Sequence, residues 1–431
     1  MNTVLRHALP FAVAFLAGSP QGAVGQSGAT VRDSAGTRIV QGSRQALRTR
    51  TTWRVDPASS VSIGVLDGPD PYVLVNPLAA TVLDGGTIVI AQNLASFSEI
   101  RFFDGRGVFQ ATAGRKGSGP GEFSTLSTLI PLSGDSVMAL DADNIRFAIF
   151  GARGELLADG RVNGIHRFYD AQNLDRNHAG FRVPGPPSGR MPEGLQRELD
   201  AYVVYSWMEE AVDTIAEAPG LAAYYERIGK GVLYHDVPFA PLTYGAAGAG
   251  RFWVGEAGTG VIRGYRADGS VATIIRDVHA RMEVTRAEER RYREHALSLR
   301  PPDPETRGRR EAYYASVRFP KEMPAFLGMK VDRAGNLWVL RYTPPWWEGD
   351  ELWDVFDRDG NPLAVATIPA AIVPVCAKRF LAMPCHFIRE IGAGYLLLWS
   401  RGELDAERIT KHAVSKGESR AADPVARRAK V

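Results

Sequence analysis

What this 431-residue chain has little of narrows its function first. Cysteine occurs only twice, at Cys376 and Cys385, with no Cys or His cluster nearby, so the two do not make a zinc site. A dominant charge is missing too. The 51 basic and 48 acidic residues leave a net +3, which is no electrostatic footprint for nucleic acid. Beyond the N-terminal leader no segment approaches the roughly 18 apolar residues that a membrane-spanning helix needs, so no span is expected. Nucleophile signatures are absent: there is no Gly-x-Ser-x-Gly elbow, no His-Glu-x-x-His pair, and neither Cys sits in a nucleophile motif. The eight His are scattered, with His166 and His178 in one irregular region, His279 and His295 flanking a helical one, and His386 beside Cys385. Isolated in this way, they read as surface or satisfied core residues.

What is present begins with a processing signal. Arg6 precedes an apolar run from Ala8 to Gly18, and Ala23-Val24-Gly25 supplies small residues before Gln26. That order is a secretory leader over 1–25, so the chain is expected to be exported to a periplasmic or extracellular setting. Export permits a disulfide, and we expect Cys376 and Cys385 to pair, with two buried thiols as the alternative. Gly and Pro, 45 and 27 residues, make the chain rich in turns while remaining below the level that signals disorder.

Those turns recur at intervals. Val82–Ile90 reads as a turn and a β-branched strand, and Ile100–Gly107 as a second strand with an Asp-Gly turn. The pair repeats at Leu132–Asp141 and Ile145–Gly154, at Gly250–Gly255 and Ile262–Gly269, and at Val331–Val339 and Asp354–Gly360. Weaker copies run through 166–215 and 388–413. A first offset of about 45–49 residues, with several short strands per copy, is the signature of a propeller blade. Four clear copies and two faint ones suggest six blades. Thr51–Val55 precedes the first copy and is the candidate to pair with the last and close the ring.

One region departs from strand patterning. Residues 284–299 read as helix: Thr285 and Glu288 form a capping box, Pro301-Pro302 stops the run, and Ala296, Leu297 and Leu299 are its apolar positions. It belongs to a helical insertion at about 279–320, read as a solvated element against a propeller face or as a partner-docking arm. Residues 415–431 are polar and basic and read as a disordered tail.

The stretch Gly114-Arg115-Lys116-Gly117-Ser118-Gly119-Pro120-Gly121-Glu122-Phe123 resembles the inter-blade consensus of NHL-type six-bladed β-propellers. The resemblance continues through Asp141-Ala142-Asp143-Asn144-Ile145-Arg146 and Phe150–Gly154. With the leader and the helical insertion, the chain is similar to exported bacterial six-bladed β-propeller proteins. The resemblance implies an all-β fold, a six-bladed propeller over about 35–414 with a small helical insertion.

As a phosphate cradle the glycine string fails on context, because no helix begins after it and Glu122 would repel an anion. Arg115 and Lys116 keep a residual claim on an anionic ligand. Asp141, Glu256 and Asp332 sit at or beside equivalent strands and are candidate Ca²⁺ or Zn²⁺ ligands, although Asp also caps turns through its own backbone. Tyr342–Glu348 holds adjacent Trp346 and Trp347 beside two Pro, a candidate recognition loop with Arg341 as polar neighbour, or a plug packed under the insertion. The expectation is an exported binding or scaffold protein, without cofactor, that recognises a protein, peptide or envelope carbohydrate. The alternative is a metal-dependent lyase or lactonase with its site at the channel mouth.

Overall fold

The computed structural model describes residues 29–41, 50–94, 96–185, 194–228, 231–279, 281–298, 304–373, 387–402 and 406–417. The leader, Cys376, Cys385, His386 and the tail from 418 lie outside the described residues.

The chain is mostly β, and most of its strands group in sequence order into four-stranded antiparallel units. The hairpin Thr30–Ser34 and Thr37–Gln41 adds in parallel to the fourth unit, Gly231–Asp236 adds to the third, and the fifth and sixth share one sheet. Unit 1 comprises Pro77–Val82, Ile88–Asn93, Ser98–Phe103 and Phe109–Ala113. Unit 2 comprises Leu126–Leu132, Ser136–Asp141, Arg146–Gly151 and Leu156–Arg161. Unit 3 is built on Asp170–Asn173, His178–Val183, Gly194–Ser206 and Ala211–Ile228. Unit 4 follows with Thr243–Gly248, Arg251–Glu256, Val261–Tyr265 and Val271–Ile275. Unit 5 has Phe326–Val331, Leu337–Arg341, Glu351–Phe356 and Pro362–Ile368. Unit 6 has Ile388–Ile391, Tyr395–Arg401 and Glu407–Lys416, and takes its fourth strand from the N-terminal side, Thr51–Ile63.

Continuous apolar runs such as Ile88–Ala91 follow from burial on both faces. Ile88 and Ile90 enter one core, with Ile63, Leu397 and Ile409 of unit 6. Val89 and Ala91 enter another, with Leu126, Val137 and Phe150 of unit 2. The period of two therefore chooses which neighbour a residue packs against rather than core or solvent. Further cores join units 2 and 3, 3 and 4, 4 and 5, and 5 and 6, so the packing closes on itself. The first strands of units 1 to 5 also touch in succession, and so do those of units 6 and 1. The arrangement is propeller-like, with the first strands innermost.

Thr51–Ile63 closes the ring as its sequence position suggests. Val55 and Ile63 pair with Val414 and Ile409 of unit 6, while Thr51 and Trp53 lie parallel to Ala364 and Ala366 of unit 5. The same pairing carries the last strand through Ser415 and Lys416, which face Arg54 and Trp53. Those two residues are strand, a correction to the expected tail.

Between units 4 and 5 stand two helices, α1 (Arg286–Ser298) and α2 (Pro304–Ser316). The expected capping box is formed: the Glu288 carboxylate accepts the Thr285 N–H at 3.1 Å, and Thr285 Oγ1 accepts the Glu288 N–H at 3.3 Å. The anchor of α1 is Tyr292, fully buried with Ala296 against Phe239, Tyr313, Tyr314 and Met323. The sequence reading missed both that anchor and α2. The outer strands of unit 3 run 13 and 18 residues, and bulges after Arg197 and Tyr202 bend them into an arm beyond the sheet. The arm meets the helices where His235 stacks on Tyr313 at 3.9 Å and Tyr224 lies 5.8 Å from it.

Candidate ligand face

In each unit the start of the first strand and the end of the second lie at one edge. The register pairs Pro77 with Gln92, Leu126 with Asp141, Asp170 with Arg182, Thr243 with Glu256, and Phe326 with Arg341. Gln92, Asp141, Arg182, Glu256 and Arg341 therefore lie at one edge of the ring, its mouth, each a polar residue closing a buried run. The helices, the arm and the 342–350 loop rise from this same edge.

Each of these polar residues is answered locally. Gln92 donates to Glu99 at 2.6 Å, and Glu256 pairs with Arg263 at 2.6 Å. Arg182 bridges Asp170 at 2.8 Å and Asp200 at 3.0 Å. Arg341 grips the fully buried Asp354 through Nε and Nη2, and His279 Nε2 lies 2.6 Å from the same carboxylate. The Arg341 guanidinium offsets much of the desolvation of that buried carboxylate, and the His279 contact ties the base of the insertion to unit 5.

The metal candidates do not converge. Asp141 is buried and accepts N–H groups of Ser124, Thr125, Asp143 and Asn144 together with Asn144 Nδ2, which fills its lone pairs. Glu256 is spent on Arg263. Asp332 lies at the opposite edge, where it caps a turn by accepting from Ala334, Asn336 and the Trp338 indole. Among the described residues no group of three or more His, Cys, Asp or Glu is placed to hold a metal ion. The expectation that Asp332 shares the strand position of the other two is corrected.

The two tryptophans part company. Trp346 packs into the roof against Phe239, His295 and the Arg291 guanidinium, 5.2 Å from its ring. Trp347 faces outward, 46% exposed, held by its indole N–H donating to Asp350 O at 3.1 Å. Arg341 belongs to the Asp354 cluster rather than to the loop tip. Sequence reasoning passed over Tyr169, exposed at the start of unit 3, with Arg167 and Arg182 over its ring at 5.1 and 4.8 Å. Leu94, Leu195, Leu199 and Tyr224 are also exposed on this side.

The glycine string crosses from unit 1 to unit 2 at the same edge, and it carries its own anion. Glu122 accepts the Ser118 and Gly119 N–H groups at 3.1 and 2.9 Å and pairs with Arg115. The Gly119 N–H, then the Arg115 guanidinium, hold its carboxyl below the usual range. Lys116 donates to Ser124 O. Gly114, at φ +76, leaves room for the Phe123 ring, which a Cβ would approach to 2.7 Å. Phe123 is buried against Phe150 in the core between units 1 and 2.

Two titratable groups stand out. Burial pushes the Glu351 carboxyl up to about 7, opposed by the Trp353 indole N–H. Burial within the ring, with Arg389 adding repulsion, pushes the Lys330 amine down to about 8, while Asp170 opposes the fall.

The fold is mostly β and propeller-like, with one edge covered by the helices and the arm. No family model matches the chain, and no protein of curated function does. Similar solved structures include a presumed exported protein of Bacteroides fragilis, at 13% identity over 85% of this chain and 96% of that one (TM-score 0.44). Another is a Bacteroides vulgatus member of the DUF4221 family, at 10% identity over 86% and 100% (TM-score 0.42). A third is virginiamycin B lyase from Staphylococcus aureus, at 10% identity over 84% and 99% (TM-score 0.35). At such identities no residue's role carries over.

Proposed function

We propose that the chain is an exported six-bladed β-propeller of the NHL type that binds a peptide or an envelope carbohydrate on its roofed face, without transforming it. The observation that carries the reading is a contrast at one mouth. Its charges are consumed in local pairs, whereas Tyr169 and Trp347 stand exposed on loops held by a rigid ring. Exposed aromatic rings give large contact area for little ordering entropy, which suits recognition of a chain-like ligand. The metal-dependent lyase or lactonase reading asks for convergent donors, and Asp141, Glu256 and Asp332 are separated and engaged. Export rests on the N-terminal leader pattern.

Retention of a panel of peptides and envelope oligosaccharides on the immobilised protein tests the reading. Trp347→Ala and Tyr169→Ala, both surface changes, should each lower retention about tenfold or more, a loss of ~1.4 kcal/mol, with an unchanged melting curve. Retention equal to wild type in both variants, or turnover of a retained ligand, would overturn it.

A further inference from the structure

The connection from unit 2 into unit 3 alternates anchors with outward side chains. Val162, Ile165 and Phe168 are buried in the core between those units, with Phe168 edge-on to Phe181 at 5.2 Å. Among them His166, Arg167 and Tyr169 are exposed. The Tyr169 N–H donates to Arg182 O at 3.0 Å, so the backbone beneath the ring is held by the second strand of unit 3. Two guanidinium groups lie over that ring, Arg167 at 5.1 Å and Arg182 at 4.8 Å. They differ in what else they meet. Arg182 is answered by Asp170 at 2.8 Å and Asp200 at 3.0 Å. Arg167 touches the ring and makes no hydrogen bond or ion pair among the described residues. An aromatic ring steadies a guanidinium without using its N–H groups. The donor edge of Arg167 therefore stays available, and a carboxylate is the group that such an edge grips bidentately.

We propose that Arg167, steadied by Tyr169, reads a carboxylate of the ligand, and that the ligand is a peptide carrying Asp or Glu side chains. This inference rests on the reading that the roofed face binds a ligand. Asp170 and Asp200 cancel Arg182, which leaves Arg167 as the unanswered charge beside the exposed ring. Its complement is an anionic side chain. The two guanidinium groups also compete with a sugar for the faces of the Tyr169 ring, which favours the peptide over a carbohydrate.

Three probes are passed over the immobilised full chain. One is a synthetic library of C-terminally amidated peptides containing Asp and Glu. The second is the same library with Asn and Gln in their place, and the third is oligogalacturonate, a carboxylate-bearing carbohydrate. The acidic library should be retained about tenfold or more better than its amide counterpart. Arg167→Gln, a surface change that should leave the melting curve unmoved, should remove that preference without altering retention of the amide library. Arg167→Lys should restore only part of it. Added salt should weaken retention of the acidic library more in wild type than in Arg167→Gln. Trp347→Ala should lower retention of both libraries alike, which separates the face as a whole from its carboxylate-reading residue. Equal retention of the two libraries, or an acidic preference that survives Arg167→Gln, overturns this inference and leaves the ligand face standing. Oligogalacturonate retained better than the acidic peptides overturns the peptide assignment. Retention of none of the three overturns the inference together with the reading it rests on.

Discussion

Glu351 opens the third strand of unit 5, and its ionisation couples this fold to pH. In the native chain its carboxyl keeps a proton up to about 7, against an ordinary value of 4.5. Between those values the folded state binds more protons than the unfolded one. Its contribution to stability therefore falls as pH rises from 4.5 through 7 and is level above. Glu351→Gln keeps the acceptor for the Trp353 indole and removes the charge. We expect it to match wild type near pH 4.5 and to exceed it by about 1–2 kcal/mol at pH 8, read from urea melts at both pH values. An equal difference at the two would contradict the burial argument. The same scale explains the mouth. Each polar residue ending a second strand meets its counter-group on its own unit, as with Arg341 and Asp354, so the edge is charged in composition and quiet in field.

Elements differed in how much their sequences disclosed. Helix α1 was legible because Thr285 and Glu288 announce its start. Removing the cap with Thr285→Ala should cost the first turn of α1 about 1 kcal/mol. Amide exchange at 286–289 should quicken while the global melt stays put, because the insertion has its own core; unchanged exchange there would argue against a working cap. Helix α2 was not legible. Pro304 stands at its first position, where proline initiates, yet after Pro301-Pro302 it reads as continued breakage. Its burial comes from Tyr313 and Tyr314, which show no helical stripe of their own. The glycine string was read correctly as a crossing, since Glu122 and Phe123 fix the loop and the next strand. The twin tryptophans could not be divided from sequence, because only the placement of the helices partly buries Trp346 and leaves Trp347 outside. Unit 3 blurred for a different reason: its outer strands outgrow the repeat, and bulges shift their register.

At the scale of the whole molecule the repeat spacing carried the fold, because alternate residues of every buried strand serve alternate neighbours. Ring closure was legible in Thr51–Val55 as a strand lacking a partner in its own repeat. The mouth was only half legible. Asp141, Glu256 and Arg341 were singled out separately, and their equivalence emerges from register, since a buried run ending in one polar residue recurs in units 1 to 5. Asp332 looked like a fourth member because a strand-end Asp is the same letter at either edge. The proposed function requires that the roofed edge, and not its opposite, meet the ligand. Hydrogen–deuterium exchange of the wild-type chain, with and without the best-retained peptide or oligosaccharide, tests that claim most directly. We predict added protection in 162–170, 219–226 and 342–350, and none in the turns at 83–87, 104–108 and 332–336. Protection confined to those opposite turns would contradict it.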